Sequence, residues 1–473
     1  MSGARGTAAL RGHASSITVA TLSTAFGVAL LQVTGFLGAL ITKDPAAGRS
    51  TETLPLMLSI LALVFIAISI YVGAVVTANT FATIVAGRAR TIALLRLIGD
   101  SAQAQRRGIA REGITVGVIG ALLGVVIGTA FAVGLDRLAV ATSTIPDIGY
   151  GLGWLNPVVV VPMVAVVLTT WAASWIGSRR VLAVTPLQAI GGAQEAGREE
   201  LVRRPTRTVT AIVLFVLGTA VLLLGVGIGL ISPFGVLIGI VGGILSFSGL
   251  IAGAHLIMPP ALRLVGRLFG RAPTARLASE NALRYPERSS RTTIGVVIGV
   301  TLITMFGVAI ASFSDMIHAA QADQPEVYAG TDTILTAIQA VFSVLVGFSA
   351  LIAAVGLVNN LSLSVVQRTR ELGLLRALGF SVRQLRTMIT VESAQLTGTA
   401  VLVGLVLGAF YGWCGAQSLL GSINGSPGLV LPGVPWTLLA VIVVAAALLT
   451  WVASLAPAHR ATRVAPVTAL AVD

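Results

Sequence analysis

The segment Gly87-Arg88-Ala89-Arg90-Thr91-Ile92-Ala93-Leu94-Leu95-Arg96-Leu97-Ile98-Gly99 recurs 280 residues later as Gln367-Arg368-Thr369-Arg370-Glu371-Leu372-Gly373-Leu374-Leu375-Arg376-Ala377-Leu378-Gly379. The match widens without a gap. Asn79 pairs with Asn359, Ser101 with Ser381, Arg106 with Arg386, Ile109 with Ile389, Glu112 with Glu392, Gly124 with Gly404 and Gly128 with Gly408. The same offset pairs Trp171 with Trp451, Ser174 with Ser454, Arg180 with Arg460 and Pro186 with Pro466. The chain is a tandem duplication, and function is expected where two similar halves face each other. A solvated charge run has no need to hold register across two copies, so the pairs Arg88/Arg368, Arg90/Arg370 and Arg96/Arg376 are candidate contact residues.

Composition sets the solvent. With 55% hydrophobic residues, 10% charged residues and a mean hydropathy of +0.94, the chain belongs in a bilayer. Its net charge of +13 then reads as membrane topology, with no nucleic-acid partner implied. Cys414 is the one cysteine, which excludes an intrachain disulfide and a cysteine-based metal cluster. Arg5 and Arg11 precede an apolar stretch of about 25 residues, too long for a signal-peptide core. It reads as a retained transmembrane helix.

Stretches long enough to cross about 30 Å of hydrocarbon lie near Ile17–Ile41, Leu56–Ala78, Ile114–Leu135, Val158–Ile176, Val209–Gly229, Phe234–Ile257, Ile294–Phe313, Ile334–Val358, Ile389–Trp413 and Trp436–Leu455. Ten spans put both termini on one side. Of the 31 basic residues, all but Lys43, Arg49 and Arg137 fall in segments on that same side. The positive-inside rule makes that side, and both termini, cytoplasmic. Four spans precede a central pair and four follow it, so the halves enter the membrane in the same direction. The outside segments, 42–55, 136–157, 230–233, 314–333 and 414–435, are each too short for an extracytoplasmic domain.

The cytoplasmic segments 86–112 and 365–388 hold the repeated motif. Leu372, Leu375 and Leu378 fall on one helical stripe, with Arg368 and Glu371 three residues apart. The pattern predicts a short amphipathic helix across the cytoplasmic mouth, ended at Gly99 and Gly379 by a left-handed cap.

Arg368-Thr369-Arg370-Glu371-Leu372-Gly373-Leu374-Leu375-Arg376-Ala377-Leu378-Gly379, followed by Arg383, Arg386 and Glu392, resembles the signature of the FtsX/MacB-like ABC transporter permeases. Ala278-Ser279-Glu280-Asn281-Ala282-Leu283-Arg284-Tyr285-Pro286-Glu287-Arg288 resembles the basic lead-in to the second repeat of their ten-span members. The resemblance implies a multi-pass subunit of the bacterial cytoplasmic membrane that works by mechanotransmission. ATP and Mg would be handled by a separate ABC ATPase, two copies per chain. By the same analogy Arg88, Arg90, Leu94, Leu95 and Arg96, with Arg368, Arg370, Glu371, Leu374, Leu375 and Arg376, would form coupling helices seated on those ATPase copies. The chain departs from the pattern where Thr91 stands opposite Glu371, and in lacking a large extracytoplasmic domain.

The residues support this division of labour independently. A P-loop needs Lys after Gly to hold phosphate, and the single lysine, Lys43, follows Thr42 in an outside loop. His13, His255, His318 and His459 are scattered and suggest neither a metal site nor a hydrolytic triad. No cofactor is expected on this chain.

Small residues every fourth position, Gly120, Gly124 and Gly128 on span three and Gly404, Gly408 and Gly412 on span nine, predict close helix packing near the pseudo-two-fold axis. Glu112 and Glu392 are read as boundary residues opening spans three and nine. They are expected either to pair with Arg88/Arg368 or with Arg106/Arg386, or to sit favourably at a helix N-terminus. The reading is an all-α polytopic permease of about ten helices. Residues 1–190 and 291–473 form the repeats, and residues 191–290 carry a linking pair of spans. The expected function is ATP-dependent extrusion or release of an amphipathic compound, peptide or lipid, with membrane lipid and a small envelope or membrane protein as further partners. A relay acting on an envelope enzyme is the alternative. A secondary transporter fits less well, because such proteins carry intramembrane acids for their coupling ions.

Overall fold

Apolar side chains in runs of about twenty leave no choice of backbone in lipid, where every N–H and C=O must be paired within its own segment. The computed structural model follows that constraint: it is helical throughout, with no strand among the described residues. Those residues are 14–43, 53–87, 89–141, 159–179, 205–269, 280, 286–325, 347, 350–351, 379–422 and 428–448. The helices are α1 (Ala14–Lys43), α2 (Thr53–Gly87), α3 (Ala89–Leu97), α4 (Ala102–Ala141), α5 (Val160–Gly177), α6 (Pro205–Gly229), α7 (Gly235–Ala252), α8 (Ala254–Gly266), α9 (Pro286–Asp323) and α10 (Val382–Leu420). A shorter apolar helix, α11, follows at Trp436–Leu448. Seven of these helices are long and apolar enough to cross a membrane. The expected spans fall on helices, Phe234–Ile257 across α7 and α8 and Trp436–Leu455 as far as Leu448, except 334–358, which lies almost wholly outside the described residues, as does 449–455.

The chain divides into two compact units, Met1–Gln194 with Met316–Ile352 and Ile423–Pro427, and Glu195–Asp315 with Ala353–Ser422 and Gly428–Asp473. In the first, α1 lies along α4, and α5 packs against α2 and α4. Helices α1 and α4 run parallel: Gly120 meets Ala20, Gly124 meets Thr24, and Gly128 meets Ala25 and Val28. A Cβ on Gly124 would lie 2.5 Å from the Thr24 Cβ and 2.6 Å from the Thr21 carbonyl oxygen, so only hydrogen fits there. Across this seam Gln32 Nε2 donates to Thr129 Oγ1 at 3.2 Å.

The second unit repeats the parallel pair as α9 and α10. Gly404 meets Val300, Gly408 meets Thr304, and Gly412 meets the Met305 backbone. Both ladders were expected beside the pseudo-two-fold axis; the nearest atoms to each glycine come from the first helix of the same half. The duplication itself reaches back into those first helices. Thr21-Leu22-Ser23-Thr24-Ala25-Phe26-Gly27-Val28-Ala29 pairs at the same offset with Thr301-Leu302-Ile303-Thr304-Met305-Phe306-Gly307-Val308-Ala309.

The central spans, read from the sequence as a link, pack against α10 within the second unit. Helices α6 and α7 form an antiparallel hairpin so close that a Cβ on Gly225 would lie 2.5 Å from the Gly239 nitrogen. A line of hydroxyls ties the hairpin to α10: Thr219 Oγ1 to Ser246 Oγ at 2.9 Å, and Ser246 Oγ to Tyr411 Oη at 2.9 Å. Residues 258–266, which follow the sixth expected span, are helical in α8 and bury Met258 and Leu262 with Val297, Val300 and Ala400. Pro259 and Pro260 lie inside α8, past its first turn, where proline supplies no N–H for the i→i−4 ladder. Gln395 Nε2 donates to the Leu262 carbonyl at 3.2 Å, holding α8 to α10.

Candidate functional site

The motif segment of the first half is a helix of nine residues, α3, set between two long apolar helices. Its end is fixed by the backbone. Asp100 N–H donates to the Leu95 carbonyl at 3.0 Å and Gly99 N–H to the Arg96 carbonyl at 3.2 Å, which is the Schellman pattern. Gly99 takes φ 104°, a left-handed conformation that costs an L residue about 1–2 kcal/mol and glycine almost nothing. Gly379 takes φ 96° at the corresponding place. The next helix is then capped by serine in both halves. Ser101 Oγ accepts from Ala104 N at 3.1 Å. Ser381 Oγ accepts from Gln384 N at 3.2 Å while Ser381 N–H donates to Gln384 Oε1 at 2.9 Å, a complete capping box.

One face of α3 is core and the other is open. Ile92 and Ala93 are buried with Phe81, Val85, Ile109 and Val116. Leu94 and Leu97 are each 51% exposed, and Ile98 is 81% exposed. The expected apolar stripe therefore divides: Ile92 faces the core, Leu95 is half-buried, and Ile98 faces out. Leu94 and Leu97, with Ile98 just past the helix end, leave an exposed apolar surface on a helix too short to cross a bilayer. Arg96 is half-buried at the same end.

Arg106, read from the sequence as a partner for a carboxylate, closes the end of α5. Its Nη2 donates to the Trp175 carbonyl at 3.2 Å, its Nε lies 3.5 Å from Ser178 Oγ, and its guanidinium carbon stands 4.1 Å above the Trp175 ring. A cation on terminal carbonyls and on an aromatic face is favourable on both counts. The contact fixes the start of α4 to the end of α5 beside α3. Spacing alone did not show it, because the two partners lie 69 and 72 residues away.

Glu112 and Glu392 lie well inside α4 and α10, which begin at Ala102 and Val382. Dipole stabilisation fades beyond the first turn, so the helix N-terminus does not account for them. Glu392 is 2% exposed and Glu112 half-buried. The side chains of Arg90 and Arg386, and all of Arg88, Arg368, Arg370, Glu371, Leu374, Leu375 and Arg376, lie outside the described residues. No group of three or more potential metal ligands occurs among the described residues.

Two comparisons bear on this arrangement. The chain matches the family described as FtsX-like permease C-terminal over residues 63–186 and again over 343–466, the same 280-residue offset as the internal repeat. It is 30% identical over 145 residues to the uncharacterized ABC transporter permease YknZ of Bacillus subtilis (strain 168). That match spans 31% of this chain and 34% of the relative, so the chain covers about a third of the relative's length. A matched domain present twice, each copy holding the short helix or its counterpart between long apolar spans, places this multi-pass membrane protein in the FtsX-like family of ABC transporter permeases.

Proposed function

We propose that the chain is the transmembrane subunit of an ABC transporter. In this reading α3 and its counterpart at 367–379 receive two copies of a separate ATPase subunit, both termini are cytoplasmic, and ATP hydrolysis drives extrusion or release of an amphipathic compound, peptide or lipid. The observation that carries it is the open face of α3, where Leu94, Leu97 and Ile98 stand exposed beside Arg96 outside the apolar spans. Such a face has a cost in water and a use at an interface, where apolar anchors within a charged rim dominate binding. Lys43 is the single lysine, so phosphate binding by a P-loop must come from another chain. The family match supports the ATPase partner, and the name of the Bacillus relative is consistent with it.

Purification of the tagged chain from its native membrane in mild detergent tests the reading. The parent should retain a subunit with a P-loop, and Leu94→Asp with Ile98→Asp should lose it while inserting normally. Retention of the ATPase by the double variant would remove α3 from the interface. ATP hydrolysis by the purified chain alone would overturn the division of labour.

A further inference from the structure

The two halves hold homologous helices in different registers. At the 280-residue offset, Thr24 corresponds to Thr304 and Gly124 to Gly404. Thr24 nevertheless faces Gly124, whereas Thr304 faces Gly408, four residues further along. The other rungs agree. Ala20 meets Gly120 but Val300 meets Gly404, and Ala25 meets Gly128 but Met305 meets Gly412. Four residues are one turn, about 6 Å of axial travel.

A third helix reports the same displacement from another side. Gly27 meets Pro162, whose counterpart is Ile442, yet Gly307 meets Leu438, four residues earlier. Helix α5 runs antiparallel to α1, so a lower number there lies in the same direction as a higher one on α4. Relative to both partners, α9 is therefore seated one turn further toward the C-terminal end of the parallel helix than α1 is.

The ladders carry the reason. Small residues occupy four successive rungs in α4, Gly120, Gly124, Gly128 and Ala132, and five in α10, Ala400, Gly404, Gly408, Gly412 and Ala416. In each half the three glycines meet the first helix, and the alanine rungs Ala132 and Ala400 are buried beside them. An alanine closes the ladder after Gly128 in the first half, at Ala132, and before Gly404 in the second, at Ala400. In the first half Ala132 puts a methyl where the farther seat would bring Ala25, and in the second Ala400 puts one where the nearer seat would bring Val300. We propose that the first helix of each half is a slider with two seats one turn apart, that the halves occupy opposite seats, and that the alanine rung selects between them. The chain thus displays both ends of a one-turn stroke at once, a ratchet of the kind that packed helices use between discrete states.

Homologous spin-label pairs in the full chain, with Cys414→Ser and each double-cysteine chain in lipid nanodiscs, test this. Gly35 and Val126 correspond to Asp315 and Val406, and a pulsed electron-spin distance should be shorter by up to about 6 Å for the first pair than for the second. Equal distances would overturn the proposal without any change to the ladders. Exchanging the second ladder, Ala400→Gly with Gly412→Ala, should shorten the Asp315–Val406 distance to that of the first half. Gly412→Ala alone is the milder form and should shift part of the population the same way. Ladder variants that fold and keep the parent distance would show that the rungs do not set the seat.

Discussion

Helices α1 and α4 in the first half and α9 and α10 in the second are built from matching sequence, share the same parallel direction and use the same glycine spacing, yet they meet one turn apart. In a soluble coiled coil, apolar and polar positions would punish such a slip. In lipid, association rests on close approach of backbones, and a stripe with a small residue at every fourth position looks the same after a shift of four. Register is then left to the few atoms that differ, here a methyl at Ala132 or at Ala400. The turn after α3 behaves in the opposite way. Gly99 and Gly379 hold nearly equal φ values, because a backbone conformation admits no such translation.

The largest effect should come from breaking a rung in the middle of a ladder. Gly124→Leu would drive a side chain into Thr24 Cβ and the backbone of Thr21 and Ala25, and should cost about 3 kcal/mol, read as loss of resistance to unfolding in mixed micelles. Gly408→Leu should cost about the same, since Thr304 Cβ and the Thr301 carbonyl stand equally close to it. A tolerated leucine at either rung would break the packing account.

Next comes the conserved turn. Gly99→Ala and Gly379→Ala should each destabilise by about 1–2 kcal/mol through the positive φ alone, because nothing lies within 4 Å of a Cβ at either place. Equal values in the two halves would sharpen the contrast with the ladder exchange, which should act on register and not on the turn.

The serine caps should separate the halves more finely. Ser381→Ala removes a complete capping box and should cost about 1 kcal/mol, whereas Ser101→Ala loses one bond to Ala104 and should cost less. The smallest effect is expected at Gly134, which faces open space. Its change to alanine should stay within about 0.5 kcal/mol by the same micelle assay. A large loss there would mean that glycine content, and not contact, governs stability.

Much of the site was legible in the sequence because the duplication marks it. Leu94, Leu95 and Arg96 were picked out by their copies at 374–376, and Gly99 by its place after the last apolar residue of the motif. The division of α3 into a buried face at Ile92 and Ala93 and an open face at Leu94, Leu97 and Ile98 was not legible, since leucine and isoleucine read alike wherever they stand. Arg106 was assigned to a carboxylate by charge; its ligands are a ring and a carbonyl brought close by the folding of α5 against α4.

The sequence by itself determined the solvent, the helical class, the duplication and the glycine turn that ends the motif. These follow from local quantities: side-chain hydropathy over about twenty residues, recurrence at one offset, and glycine or serine where a backbone group needs help. The tertiary structure decided which helix receives each glycine ladder, the seat of the first helix in each half, the burial of α8, and the depth of Glu392. A periodic stripe specifies close approach but neither its partner nor its phase. Only the simultaneous fit of three helices supplies those, as Gly27 on Pro162 and Gly307 on Leu438 demonstrate.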